Sequence, residues 1–567
     1  MLFRVGNVNI HQSKEVATPF AEYFKSVFRV GNNNSSSWNA TTGISGWKHI
    51  RVSRIDQQDV EKALAKLKPK MSTGPDEIPM FIFKDCSRIL SSPLTHIYNL
   101  VLKTNTFPTL WKVSKVVPIP KSKNICEITN YRPISLIPLS AKVFETVLYS
   151  LLLPQTKPLI TEHQHGFLPG RSVETNLMVY TNYISEQLDR GGQVDAIYTD
   201  FAKAFDSVNH RILLMRLQEL GFSCGLLNLL SSYLSDRKQF VVYKGSASGM
   251  YDSLSGVPQG SVLGPYLFTL FINNITKNIK HSQVLLYADD MKLFRNISSY
   301  EDSSMLQQDL NALVHWSIDN DLPFNYKKCE KITFTRKREV VEWTYSMGGE
   351  ELKNVHSVRD LGILLDAKLT YRNHINHITM RAAKNLGFII RSSEHFSNIS
   401  TLKMLYFAYV RSHLEFGSVI WNPDGKTLTK QIEKLQKKFL RFLYRKLFQY
   451  YPFEISYIDL VLGFEIDSLL LRRQISSLSY LYKLLHGKID DPIMLSNIRI
   501  KVPSHPTRLG EMFHIKTART KSHGFAGLNS IFRMYNRLVA KSPEVDILWD
   551  DNGGFFKKMR QGLLLLS

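Results

Sequence analysis

Apolar positions along the chain change their period once. From about Ile55 to Leu365, short alternating or continuously apolar runs are interleaved with stretches that repeat every three to four residues. Beyond Asp366 the three-to-four spacing persists alone, to about Leu485. The first pattern predicts strands mixed with helices and the second predicts helices only. Asp56 is placed to cap a helix with Val60, Leu64 and Leu67 on one face. Ser92-Pro93 opens another helix, which buries Leu94, Ile97, Tyr98 and Val101. Val113–Ile119 alternates as a strand. The expected class is α+β over residues 51–365, followed by a mainly helical region at 366–490 and a weakly patterned, loop-rich extension at 491–567. Residues 1–50 read as a tail. Thr18 caps a short helix with Pro19 at its first position, Phe20, Phe24 and Val27 form its stripe, and Asn32–Ser37 is a low-complexity linker. The pentapeptide at Phe3–Asn7 recurs at Phe28–Asn32, a repeat for which we have no physical account.

Composition narrows the class of molecule. Hydrophobic residues are 44% and charged residues 21% of the 567, close to globular averages, so a collagen, a mostly disordered chain and a small disulfide scaffold are excluded. No apolar run reaches the roughly 18 residues of a membrane helix, and the N-terminus carries no secretory signature. Cys86, Cys126, Cys224 and Cys329 lie 40, 98 and 105 positions apart, which offers neither a zinc knuckle nor a disulfide framework. These features point to a reduced, intracellular setting without a membrane partner. Lysine and arginine number 72 against 49 acids, a net +23, which calls for a polyanionic partner such as nucleic acid. Residues 401–567 hold 26 of the cations and 14 of the acids, about half of the excess. Within them, Ile432, Leu435, Phe439 and Phe442 mark an apolar stripe. Lys430, Lys434, Lys437, Arg441 and Arg445 recur at helical spacing as a cationic ridge that can follow a duplex backbone without reading bases. A merely solvated face is the alternative.

Three segments carry candidate chemistry. A mostly apolar strand at Gln193–Thr199 ends abruptly in Asp200, and an acid at the end of a buried strand opens into a cleft. Val284–Phe294 holds two apolar runs around Asp289-Asp290, the pattern of a β-hairpin with two acids at its tip. Gly256–Pro265 is a glycine-rich loop that opens an almost wholly apolar helix at Tyr266–Ile272. Its glycines permit close approach to a ligand, and a phosphate cradle is one reading, although the spacing is not that of a P-loop. If Asp200, Asp289 and Asp290 converge, they make an oxygen-only site suited to Mg²⁺ or Mn²⁺. Two ions about 4 Å apart would serve an in-line displacement at phosphorus. With the charge surplus, nucleotidyl transfer on a nucleic acid leads.

Several segments occur in a telling order. They are Asn130-Tyr-Arg-Pro-Ile-Ser-Leu136, Gln164-His-Gly-Phe-Leu-Pro-Gly-Arg-Ser172, Thr199-Asp-Phe-Ala-Lys-Ala-Phe-Asp206, Gly256–Pro265 and Tyr287-Ala-Asp-Asp290. Together they resemble the reverse transcriptases of non-LTR, Jockey-like retrotransposons. Lys70–Pro79, Asn325-Tyr-Lys-Lys-Cys329, Asp360–Asp366, Leu414–Trp421 and Gln431–Gln436 extend the resemblance over about residues 55–540. It implies a right-hand polymerase with fingers, an antiparallel palm sheet and a thumb, acting on an RNA template, a DNA primer or target, and deoxynucleotides. Asp200, Asp289 and Asp290 then take the metal-binding and catalytic places. Phe205 falls beneath the incoming sugar, where excluding a 2′-hydroxyl is worth about 1–3 kcal/mol; an ordinary core aromatic is the alternative. Gln259 falls at the nucleotide or template. Arg132 is a candidate for the triphosphate or, alternatively, for a structural salt bridge. Lys328 is a candidate proton donor to pyrophosphate or a solvated lysine, and Arg171 a candidate template contact. Asn273-Asn274 replaces the usual Asn-Asp of the palm helix, away from any catalytic place.

No segment resembles an endonuclease, so target nicking is expected from a separate protein; a fragment of a longer reading frame is one reading of the sequence, a self-standing chain the other. The rivals are a catalytically silent nucleic-acid-binding descendant of such an element and an intron-maturase-like protein.

Overall fold

The computed structural model describes residues 3–5, 8–10, 16–28, 50–121, 124–423, 425–501, 511–519 and 527–565. The Asn32–Ser37 tract and most of the second pentapeptide copy lie outside them.

A five-stranded sheet organises the molecule. Its order is Lys353–Val355, Glu330–Thr335, Gln193–Thr199, Asp290–Ile297, Gln283–Tyr287, antiparallel except for the parallel pairing of the first two. Successive side chains of a strand point to opposite faces. Ile197, Met291 and Leu293 therefore enter one core, while Val194, Ala196, Phe294 and Phe334 enter the other. Burial on both faces explains why the Gln193–Thr199 strand reads as a nearly continuous apolar run. Its one charge, Asp195, is fully buried and satisfied by Tyr345 Oη at 3.0 Å, Thr333 Oγ1 at 2.9 Å and the Lys331 ammonium at 3.7 Å.

A second sheet is built on Val113–Pro120. Tyr131–Leu136 pairs with it antiparallel and Arg237–Tyr243 pairs parallel. Ser246–Ala247 and Tyr251–Ser253 join Arg237–Tyr243. The helix Ala17–Lys25 lies against this sheet, burying Val16, Phe20 and Phe24 among Val116, Tyr131 and Val241. Residues 16–28 are thus part of the fold rather than a tail. The helix starts at Ala17, so Thr18 is not its cap. Pro19 is tolerated because N–H groups of the first turn have no intrahelical acceptor.

The helix expected from Ser92 begins at Ser87 and runs to Thr104, with Pro93 inside it. Proline there deprives the Ile89 carbonyl of its donor, and Ile89 is exposed, so water can take that place. Leu94, Tyr98 and Val101 are buried as expected, but Ile97 is 41% exposed.

Beyond Asp366 the chain is helical: Arg372–Ser392, Lys426–Phe448 and Leu469–Leu485 are the long elements. The last eighty residues are more regular than their sequence suggests. Gly527–Lys541 and Asn552–Leu564 are helices packed on Leu469–Leu485. These helices share a core with the second face of the central sheet. Packing therefore runs across position 365, although the change of periodicity does fall there. Among the described residues no helix is long and apolar enough to cross a membrane.

Candidate active site

Asp200 is the first residue beyond the central strand, and Asp289-Asp290 turn the neighbouring hairpin. Because the two strands are hydrogen-bonded neighbours, with Met291 opposite Thr199, their acidic ends are brought together. The hairpin tip is tightly held. Ala288 takes a left-handed φ of 59°, and its N–H donates to Gln164 Oε1 at 2.9 Å, which also accepts from Gly166 N at 2.8 Å. A Cβ on Gly166 would stand 2.3 Å from Ala288 N, so only glycine permits this approach. His165 N and Asn176 Nδ2 both donate to the Leu286 carbonyl, at 2.9 and 3.1 Å. Beneath the tip, the buried Lys292 ammonium pairs with Asp360 at 2.5 Å and lies over the Tyr180 ring.

The acids perturb one another. Partial withdrawal from water, then the charge of Asp200, raises the pKa of Asp289. Asp290 is pushed up to about 6 by desolvation and by Asp289, Asp360 and Asp200, against the pull of Lys292. Lys328 Nζ donates to Asp200 at 3.0 Å. Among the described residues, no three His, Cys, Asp or Glu side chains are gathered tightly enough to hold an ion unaided. The donor set still fits a hard divalent cation. It is all oxygen, its negative charge is under-compensated, and magnesium commonly takes one or two carboxylates and completes its shell with water and substrate phosphate.

A cleft of about 550 Å³ opens beside Asp200 and Asp289, bordered by Lys121, Arg132, Phe205 and Gln259. Phe205 forms part of its wall, stacked on Phe268 with centroids 4.5 Å apart and edge-on to Phe167. Gly256, at φ 80°, lets the glycine loop press onto the Phe205 turn, where a Cβ would meet Phe205 O at 2.6 Å. Gln259 Nε2 donates to Asp206 Oδ1 at 2.8 Å, and burial pushes the Asp206 carboxyl up to about 6. Arg132 is exposed at the rim, close enough for its charge to act on Asp289 and Lys121. Lys121 has its pKa lowered by burial and by that neighbouring guanidinium.

The family model described as reverse transcriptase (RNA-dependent DNA polymerase) matches residues 119–390, which hold every one of these groups. This segment is a reverse transcriptase domain. The chain is 28% identical over 402 residues to the RNA-directed DNA polymerase from mobile element jockey of Drosophila funebris, covering 68% of this chain and 43% of that protein. It is 27% identical over 406 residues to the probable RNA-directed DNA polymerase from transposon BS of Drosophila melanogaster, covering 69% and 45%. Similarity of 25% over 402 residues extends to the corresponding X-element protein of Drosophila melanogaster, covering 69% and 44%. The kinship is thus with Jockey-like non-LTR elements, and the chain spans less than half the length of these relatives.

Within the reverse transcriptase domain two expectations need correction. The glycine-rich loop is not a phosphate cradle. The N–H groups of Val262 and Leu263, at the start of the buried helix Leu263–Ile272, are taken by the buried Glu145 carboxylate at 2.7 and 3.1 Å. Gly264 N donates to Ser261 Oγ. Arg171 does not face a template. Its side chain is 7% exposed, Nη1 donates to the carbonyls of Thr161, Glu162 and Gln164, and Nε lies 3.4 Å from Asp490. It braces the segment that holds the hairpin tip.

Sequence reasoning overlooked Gln164, Glu145, Lys121 and the Lys292–Asp360 pair. Gln164 and Asp360 sat in segments noted only for their resemblance, without a role. Beyond the reverse transcriptase domain, the ridge lies on the helix Lys426–Phe448. Lys430, Lys434 and Arg445 are exposed, Lys437 and Arg441 half-buried, and Arg441 lies over the Tyr451 ring. Among the described residues none of the five pairs with a carboxylate.

Proposed function

We propose that the chain is an RNA-directed DNA polymerase that extends a primer 3′-hydroxyl with deoxynucleotides on an RNA template. The observation that carries this reading is the meeting of Asp200 with the Asp289-Asp290 tip beside a cleft floored by Phe205 and rimmed by cations. In a right-hand division, the central sheet is the palm. The second sheet with its Ala17–Lys25 helix belongs to the fingers, and the helices of residues 366–490 form the thumb.

Asp200, Asp289 and Asp290 would hold two magnesium or manganese ions, which supply Lewis-acid activation of the hydroxyl and stabilisation of the leaving oxygen. Arg132, with Lys121 beside it, receives the triphosphate. Phe205, fixed by Phe268, closes the space beneath the sugar C2′. Gln259 is oriented by Asp206 and presents its carbonyl oxygen to the nucleotide or template. Lys328 borders both the acids and the nucleotide cleft and is placed to give a proton to departing pyrophosphate. The ridge from Lys430 to Arg445 follows the duplex backbone.

Primer extension on an RNA template with Mg²⁺ tests the reading. Asp289→Ala should lower incorporation at least about a hundredfold, as loss of a major charge-stabilising group does, while primer–template binding persists. Undiminished incorporation rejects the catalytic assignment. A wild-type protein that binds but never extends supports the silent-binder alternative.

A further inference from the structure

The end of the ridge helix carries a concentration of exposed rings. The twenty residues Lys434–Phe453 hold six cations, seven aromatic residues and no acid. Leu447, Phe448, Tyr450, Tyr451 and Phe453 are all exposed, Phe453 by 81%. Single exposed apolar side chains are ordinary, but five within seven residues form a patch that marks a binding surface. The chain reverses at Gln449, whose φ is 63°, so that residues 450–453 fold back beside the last turns of the helix. The hydroxyls of Tyr444 and Tyr450 are hydrogen-bonded, the Tyr444 and Phe448 ring centroids lie 4.4 Å apart, and that of Phe453 lies 4.6 Å from that of Tyr451. The guanidinium of Arg441 lies over the Tyr451 ring, 5.6 Å from its centroid.

The rings and the ridge share one face. Phe448 lies three residues beyond Arg445, a step by which the ridge itself advances. Arg441 belongs to the ridge and touches the rings. A polyanion lying on the ridge is thereby led onto them. Exposed aromatic faces among cations suit flat bodies carried on a negative backbone, which describes the unpaired bases of a nucleic acid. A duplex satisfies the ridge but hides every base face except those of its last pair. An acidic peptide satisfies the charges and leaves the rings uncovered. A membrane-lying element keeps its cations on the face opposite its apolar side chains. Here Arg441 lies against Tyr451, and the Lys446 ammonium is 5.9 Å from the centroid of the Phe442 ring.

We propose that Phe448, Tyr450 and Phe453 form a stacking platform for the unpaired bases of a single strand that leaves the duplex at the C-terminal end of the ridge. The platform is indifferent to sequence, because every base has a face to offer. The inference rests on the ridge as a duplex-binding face but not on catalysis, since it concerns binding without nucleotides.

Fluorescence anisotropy on the full chain tests it with a blunt RNA–DNA duplex, the same duplex bearing a short single-stranded DNA extension, and the same duplex bearing an extension of equal length that lacks its bases. The last carries the phosphates without the faces. Wild type should bind the base-bearing extension at least about tenfold more tightly than the abasic one, as stacking of one or two bases on aromatic rings confers. Tyr450→Ala with Phe453→Ala should abolish that difference and leave blunt-duplex affinity within about twofold, while Phe453→Trp, which keeps a ring, should retain it. Equal binding of the two extensions by wild type overturns the proposal, as does a double variant that keeps the difference. Phosphatidylserine vesicles that displace the base-bearing extension, with the same sensitivity to substitution, would make the patch a membrane surface instead. Should the double variant melt at lower temperature than wild type, Phe453→Ala alone must reduce the difference at least about threefold; if it does not, the proposal falls. A blunt duplex that fails to bind removes the ridge reading alone. The platform then stands or falls on a free oligonucleotide compared with its abasic counterpart.

Discussion

Phe205 shows how one side chain is shared between packing and selectivity. It is half-buried, stacked on Phe268 and edge-on to Phe167, so its ring cannot retreat when a sugar arrives. Phe205→Ala should raise ribonucleotide incorporation relative to deoxynucleotide by roughly tenfold or more, the equivalent of about 1–3 kcal/mol for excluding a hydroxyl. Single-nucleotide competition assays read that ratio, and an unchanged value would reduce Phe205 to a packing residue. Asp206 is the neighbouring lesson. Its motif was recognisable, but its burial against Gln259 was not, because exposure is a property of the assembled cleft. Its carboxyl is raised from an unfolded value of 3.8 to about 6. The folded state therefore binds the proton more tightly, and this residue's contribution to stability declines as pH rises from about 4 to about 6. Asp206→Asn should remove that decline. Denaturant titrations at pH 4 and pH 6 measure it, and an identical pH response in the variant would contradict the assignment.

Elements were legible wherever a strand or helix obeys a simple period. The Gln193–Thr199 strand, the acidic hairpin and the buried helix after the glycine loop all lie where alternation and apolar runs place them. What the pattern could not reveal is how the hairpin is held, because its supports come from residues far away in sequence. Gln164 reaches Ala288 across 124 positions and Lys292 reaches Asp360 across 68. Lys292 is buried on the face that the helix Val173–Asp189 covers, with the Tyr180 ring of that helix over its ammonium. Lys292→Met leaves Asp360 as an uncompensated buried charge beside Asp290. Breaking such a pair costs about 3–5 kcal/mol, so the melting temperature should fall by several degrees. Lys292→Met combined with Asp360→Leu should recover much of the loss, since an apolar pair satisfies the site. Calorimetry on the two variants decides this, and a double variant no more stable than the single one would refute the pairing argument.

At the scale of the whole molecule, the change of periodicity near Asp366 suggests a hinge between two units, but the energetics do not divide there. Val194, Ala196, Phe294 and Phe334 on the central sheet are covered by the same core that contains Ile375, Leu386, Leu478 and Phe532. Polar ties cross as well: Arg171 and Lys157 both reach Asp490, at 3.4 and 3.1 Å, and the Arg519 N–H donates to Asp189 at 2.9 Å. Sequence periodicity reports which face of an element is apolar but not which other element covers it, so a shared core leaves no mark in the pattern. Ending the chain at Asp366 would bare the outer side of the helix Val173–Asp189, which lies on the sheet and is itself packed against the later helices, and apolar surface of that kind drives aggregation in soluble proteins. Such a truncation should accumulate as aggregate and bind a hydrophobic dye, whereas the full chain elutes as a compact species. A soluble, cooperatively melting 1–366 fragment would show that the sheet and its acids are stable without the helices. In that case the ridge would belong to a separately folding module, and the positioning of the Asp289-Asp290 tip would owe nothing to Asp490.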